Sequence, residues 1–149
     1  MRIATRSSKI NISSEKKLEE FANSFGAELK QGDILFLFGE TGVGKTTFVK
    51  FLINNLQLRF KQQPTEVTSP TFNIMNEYNI EDLSIKHYDL YRLQSKYELH
   101  DLNIFNENDK AILLIEWPQL IKKEPNIVTK LYFEYENEYQ NRFIKIIDR

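Results

Sequence analysis

No cysteine occurs anywhere in the 149 residues. Disulfides, thiolate metal sites and cysteine nucleophiles are therefore excluded, and a reducing compartment is favoured. Glycine and proline are scarce, with five and four copies, so each marks a break between patterned segments. Excess charge of either sign is missing: 20 Lys and Arg face 21 Asp and Glu, for a formal net charge of −1. Domains that mainly grip nucleic acid are usually basic, which argues against that task here and leaves room for a partner that binds RNA. Long apolar stretches are absent too. The longest runs, Ile34–Phe38 and Ala111–Ile115, fall far short of the roughly 20 residues of a membrane-spanning helix. The start of the chain carries Arg2, Arg6 and Lys9 before its first acid, Glu15. That is a trace of a transit-peptide pattern, but no apolar core of a secretory signal accompanies it. The expectation is an N-terminal strand of a cytoplasmic protein with no membrane association.

What is present is ordinary for a globular protein, 41% apolar and 28% charged. The length suits a single domain over residues 1–149. Ile10 and Ile12 alternate with polar residues. Ser13 and Ser14 offer N-caps, Glu15 suits a first turn, and Leu18, Phe21, Ala22 and Phe25 recur at helical spacing up to a stop at Gly26. Gln31-Gly32-Asp33 reads as a turn. The run Ile34–Phe38 has no polar face and predicts a strand buried on both sides, as in a parallel sheet. Phe48, Phe51, Leu52 and Leu56 then mark a helix to about Leu58. A polar loop follows from Pro64 to Pro70. Strands are expected over Phe72–Tyr78 and Ser84–Tyr91, with a turn at Asn79–Leu83, and a helix over Tyr97–Phe105. Ala111–Ile115 is a second buried strand. Val128–Tyr135 and Arg142–Ile147 are expected to pair through a hairpin loop around Asn137. The sum is an α/β domain: a central, mostly parallel sheet flanked by helices, with antiparallel hairpins at its edges.

Gly39-Glu40-Thr41-Gly42-Val43-Gly44-Lys45-Thr46 matches G-x-x-x-x-G-K-[ST], the phosphate-binding P-loop. A triphosphate carries about four negative charges, so its site needs many donors held close. Glycines let backbone amides turn inward, and the helix opening near Lys45 adds free amides and its dipole. Lys45 is expected to reach the terminal phosphates, and the Thr46 hydroxyl to ligate Mg²⁺, a hard cation that prefers oxygen. The motif follows a buried strand and opens an apolar-striped helix, as that chemistry requires. The expected ligand is therefore ATP or GTP with Mg²⁺ on a P-loop NTPase fold.

Such a site also uses a carboxylate near the end of a neighbouring strand. Two acids qualify. Glu116 directly follows the run Ala111–Ile115, at the strand end where open α/β sheets bind ligands. Asp89 lies near the end of the strand over Ser84–Tyr91. Either could instead be a surface acid or an arginine partner. His87 reads as a plain strand side chain and His100 as a surface residue. Trp117 could stack on a base, but its pattern favours an anchor for the strand end.

Four segments in order add a resemblance. Gly39-Glu40-Thr41-Gly42-Val43-Gly44-Lys45-Thr46-Thr47-Phe48 is followed by Thr68-Ser69-Pro70-Thr71-Phe72 with Asn76-Glu77-Tyr78. Then come His87-Tyr88-Asp89-Leu90-Tyr91-Arg92-Leu93 and Leu114-Ile115-Glu116-Trp117-Pro118. This set resembles the TsaE family of bacterial P-loop ATPases, which serve tRNA threonylcarbamoyladenosine synthesis. The resemblance implies slow ATP hydrolysis in support of the partners TsaB and TsaD, which modify adenosine-37 of tRNA. It implies that Thr46 and Glu116 are the Mg²⁺ ligands, and that Glu40 to Thr47, with Lys45 central, hold the nucleotide. It makes Asp89 a group that positions or deprotonates the attacking water, and Ser69 to Phe72 a switch-like loop. Glu15 and Arg142 match family positions that flank the nucleotide. Glu40, Thr41 and Val43 depart from the common residues, but side chains there point away from the phosphates.

Two other readings share the loop. A small-molecule kinase would carry an arginine-rich lid, and here Arg92 and Arg142 are scattered. A GTP-driven switch would carry an N-K-x-D segment for guanine, which the sequence lacks.

Overall fold

The computed structural model describes residues 9–136 and 138–148, so Arg2, Arg6 and Asn137 lie outside the described residues. The elements run β1 (Lys9–Asn11), α1 (Glu15–Ala27), β2 (Ile34–Phe38), α2 (Lys45–Arg59), β3 (Met75–Ile80), β4 (Leu83–Asp89), α3 (Lys96–Leu102), β5 (Ile112–Glu116), β6 (Thr129–Glu136) and β7 (Asn141–Asp148). The strands form a seven-stranded mixed sheet in the order β1-β7-β6-β2-β5-β4-β3. The four central strands, β6, β2, β5 and β4, are parallel. Antiparallel pairs β3–β4 and β6–β7 close the two sides, with β1 added beyond β7. Each expected hairpin therefore gives its inner arm to the parallel centre and only its outer arm to the edge.

The apolar runs behave as their patterns dictate. Leu35 and Leu37 of β2 face one core with Ile112 and Leu114 of β5, while Phe36, Leu113 and Ile115 face the other. The first core is roofed by α1 and α2. Phe48 of α2 meets Phe21, Phe25 and Phe133 with ring centroids 5.7–5.9 Å apart. Burying each such ring stabilises the fold by about 2 kcal/mol. The second core is covered more thinly, by Leu99 and Leu102 of α3 with Ile104, Phe105 and Ile121 from the connections. No helix among the described residues is long and apolar enough to cross a membrane.

Several expected boundaries move, each for a visible reason. Gly26 does not stop α1. It is buried inside the helix, where a Cβ would stand 3.0 Å from Leu52 Cδ1, so glycine lets α1 approach α2. The strand expected from Phe72 starts only at Met75. The chain turns at 71–73, where Ile74 N–H donates to the Pro70 carbonyl and Ile74 takes a left-handed conformation, φ 70°. The turn expected over Asn79–Leu83 shrinks to two residues, since Ile80 and Leu83 already pair. The helix expected to reach Phe105 ends at Leu102, because Asn103 takes the left-handed cap position that asparagine tolerates.

Candidate functional site

The carboxyl ends of β2, β4 and β5 open into a cleft of about 390 Å³. One wall is the turn from β2 into α2. Gly39, Gly42 and Gly44 all have positive φ, at 146°, 86° and 120°, so the backbone curls where a side chain would resist it. Gly44 caps α2 with no side-chain hydrogen bond, leaving the first amides of the helix to a ligand. Val43 is fully buried in the α1–α2 core, which anchors the loop from behind, and Glu40 is exposed. Tyr135 of β6 donates its hydroxyl to the Gly42 carbonyl at 3.1 Å. Arg142 of β7 donates Nη1 to the Val43 carbonyl and Nη2 to the Ser13 carbonyl, each at 3.4 Å. The outer hairpin thus braces the loop.

Lys45 is the first residue of α2 and only 4% exposed. Its ammonium donates to the Gly39 carbonyl and lies 3.9 Å from the centroid of the Trp117 ring. Among the described residues it has no ion-pair partner within 4.0 Å. Burial pushes its pKa down, while the charges of Glu116 and Asp89 pull it partly back up. A cation taken from water and left without a paired anion is an unfavourable arrangement that a bound anion would relieve.

The two acids singled out in the sequence come together. Period-two alternation and the register Asp89↔Glu116 place both on the α1–α2 side at the end of β4 and β5. Both are buried, at 4% and 2% exposure. Their partners differ. The Thr46 hydroxyl contacts both Glu116 oxygens, at 3.4 and 3.2 Å. Asp89 instead accepts from the Ser69 and Thr71 hydroxyls, each at 3.1 Å, and from Tyr91 N–H at 3.0 Å. Thr46 and Glu116 are thus a pair of hard oxygen donors that could hold a divalent cation. Asp89 is a fixed acceptor tied to the 69–71 loop.

Gly42, Gly44, Thr41, Lys45, Thr46, Thr47, Asp89, Glu116 and Arg142 all line the cleft, with Ser69, Thr71, Tyr91 and Trp117. Glu15 does not; it is exposed in the first turn of α1, beside the N-cap Ser14. Phe72 does not either. It is 83% exposed, with the Arg92 guanidinium 5.0 Å from its ring.

Trp117 is half-buried and packs against the second core, in keeping with an anchor, but it also reaches the cleft. A left-handed backbone, φ 55°, ahead of Pro118 turns its ring over Lys45 and against Tyr91, centroids 4.8 Å apart. Sequence reasoning also passed over His87. The ring is fully buried, and its Nε2 lies 2.6 Å from Glu116 Oε2. The signal was available: His87 sits two residues before Asp89, hence on the same face of β4.

Comparison with known proteins shows what the chain is similar to. The family model described as Threonylcarbamoyl adenosine biosynthesis protein TsaE matches residues 12–144. The chain is 37% identical over 111 residues to the tRNA threonylcarbamoyladenosine biosynthesis protein TsaE of Rickettsia typhi, covering 74% of each chain. It is 31% identical over 134 residues to the protein of the same name from Aquifex aeolicus, covering 90% of this chain and 93% of that one. Among solved structures, Bacillus subtilis YdiB superposes with a TM-score of 0.69 at 26% identity, over 94% of this chain and 84% of that one.

Proposed function

From the premise that this chain belongs to the TsaE family of tRNA threonylcarbamoyladenosine biosynthesis, we propose that it serves that pathway as a Mg²⁺-dependent ATPase on a P-loop NTPase fold. The observation that carries the reading is Lys45, a buried ammonium with no ion-pair partner among the described residues, at the mouth of a glycine-rich turn. That turn fits a polyphosphate: Gly42 and Gly44 line the cleft with no side chain of their own, and the start of α2 carries no side-chain cap that would compete for its free amides. Thr46 and Glu116 fit Mg²⁺ through the hardness of their oxygens. Bound magnesium would neutralise phosphate charge during transfer.

The chain's own residues divide the remaining work. Lys45 holds the terminal phosphates. Arg142 and Tyr135 keep the loop in shape. Asp89 can accept a hydrogen bond from an attacking water and orient it, and its ties to Ser69 and Thr71 link that water to the 69–71 loop. The partners in this reading are TsaB and TsaD, with tRNA met through them in the cytoplasm.

Trp117 is the sole tryptophan, and its contact with Lys45 makes its fluorescence a direct titration signal. Mg·ATP is expected to change it saturably, with Mg·GTP weaker and Lys45→Ala silent. Glu116→Ala is expected to keep nucleotide binding but lose hydrolysis. In threonylcarbamoyl transfer reconstituted with TsaB and TsaD, omitting this protein should stop turnover after the first round. Unchanged multi-turnover product formation without it refutes the role. Phosphorylation of a nucleoside or metabolite acceptor would favour the kinase reading instead.

A further inference from the structure

His87 has no part in the reading above, yet its placement is costly. The ring is fully buried on β4. Its Nδ1 is buried and has no hydrogen-bond partner among the described residues. The remaining nitrogen, Nε2, lies 2.6 Å from Glu116 Oε2. A carboxylate that serves a cation can only accept, so in that role the bond needs its proton on Nε2, with the ring as donor. Leucine or isoleucine could fill such a strand position without leaving a polar atom unpaired. The tie to Glu116 is therefore what a histidine supplies here.

We infer that His87 is a positioning residue for the metal-binding carboxylate. Its Nε2–H pins Glu116 Oε2, which leaves Oε1, contacted among the described residues only by the Thr46 hydroxyl at 3.4 Å, to face a divalent cation. A carboxylate on a free side chain would have to give up rotamer freedom on binding the cation. One already held has given it up in folding. The register makes the tie possible: His87 pairs with Leu114 and Asp89 with Glu116, so His87 reaches Glu116 diagonally across β4 and β5. The inference rests on the nucleotide reading, because it needs Glu116 to serve a metal.

The test is calorimetric titration of the full chain with a non-hydrolysable ATP analogue, once in Mg²⁺ and once in EDTA. For His87→Leu, the strengthening of binding by Mg²⁺ is expected to fall by about tenfold or more, with metal-free affinity unchanged. His87→Gln, whose amide nitrogen can reach the place of Nε2, is expected to restore most of it. His87→Asn, whose amide nitrogen stands at the place of Nδ1, is expected not to. Nitrogen-15 spectra of the nucleotide-free protein should show a protonated Nε2 whose shift moves in Glu116→Gln. The inference is overturned if His87→Leu keeps the Mg²⁺ effect, loses both affinities equally, or is rescued as well by Asn as by Gln. Should His87→Leu fail to fold, the Gln and Asn variants decide alone. A wild-type protein that binds no nucleotide refutes the underlying reading, whereas one that binds Mg·ATP with an unprotonated Nε2 refutes only the role of His87.

Discussion

Gly39→Ala is the perturbation whose cost the structure sets most tightly. Gly39 has φ 146°, where an L side chain is strained, a cost of about 1–3 kcal/mol. The new Cβ would stand 2.7 Å from the Phe133 carbonyl oxygen and 2.9 Å from Val43 Cγ1. Neither neighbour can step aside. Phe133 is paired on β6, between β2 and β7, and Val43 is fully buried. Overpacking of that kind costs about 1–3 kcal/mol more. Either the strain stays, and stability falls by on the order of 3 kcal/mol, or the loop shifts outward. A shift withdraws the Gly39 carbonyl from the Lys45 ammonium and displaces the cradle. Urea denaturation measures the first outcome and nucleotide titration by Trp117 fluorescence the second. At this chain length a 3 kcal/mol loss corresponds to a melting temperature lower by roughly 6–12 °C. A variant that matches the wild type within about 0.5 kcal/mol in stability and also in Mg·ATP affinity would refute the reasoning, because the structure offers no third way to place the methyl group.

Gly26→Ala provides the contrast: its Cβ would crowd a side-chain end rather than backbone, Leu52 Cδ1 at 3.0 Å, with Leu56 Cγ at an ordinary 3.9 Å. Helix propensity gains about 1 kcal/mol against a similar packing cost, so denaturation should show a net change under about 1 kcal/mol. Asp109→Asn tests the pair that Asp109 makes with Lys86 on β4. The Lys86 hydrogen bond, helped by Ala111 N–H, holds the Asp109 carboxyl below its ordinary value of 3.8, and Asp109 raises Lys86 above its own. The contribution of Asp109 is therefore present above pH 3.8 and lost as pH falls through the depressed folded value. That of Lys86 is present below pH 10.5 and lost only above it. Asp109→Asn should cost about 0.5–1 kcal/mol at pH 7, and the gap to wild type should close in acid. A gap that persists at pH 2 would show the loss to be one of packing.

The sheet was legible from sequence because its central strands announce themselves. Five-residue runs without a polar face, such as Ile34–Phe38 and Ala111–Ile115, are of strand rather than helix length and read as strands covered on both sides. The glycine turn was legible for a similar reason, since its residue types and spacing are dictated locally by backbone geometry. What stayed hidden depends on distance along the chain. That Gly26 serves close packing depends on Leu52, 26 positions later, and a glycine after an apolar stripe reads equally well as a helix stop. The left-handed turn of Trp117, which brings its ring over Lys45, leaves no mark in periodicity.

The residue pattern alone left open how Asp89 and Glu116 differ; only the family resemblance set them apart, and their surroundings show how the site is specified. Both acids end strands, and nothing within either strand tells them apart. The distinction comes from what the fold sets beside each one: Thr46 and His87 at Glu116, Ser69 and Thr71 at Asp89. The register of β4 against β5 controls both sets at once. A slip of one residue would exchange His87 and Asp89 for Lys86 and Tyr88 on the cleft side and turn the acid toward the second core. The apolar alternation that fixes this register, with Ile85 inward to one core and Tyr88 and Leu90 to the other, therefore also fixes which carboxylate meets Thr46. The packing of the sheet and the geometry of the cleft are set by the same residues, so a core substitution that loosens β4 should disturb the proposed Mg²⁺ site, read as a weaker Mg²⁺ effect on nucleotide titration, before it unfolds the chain.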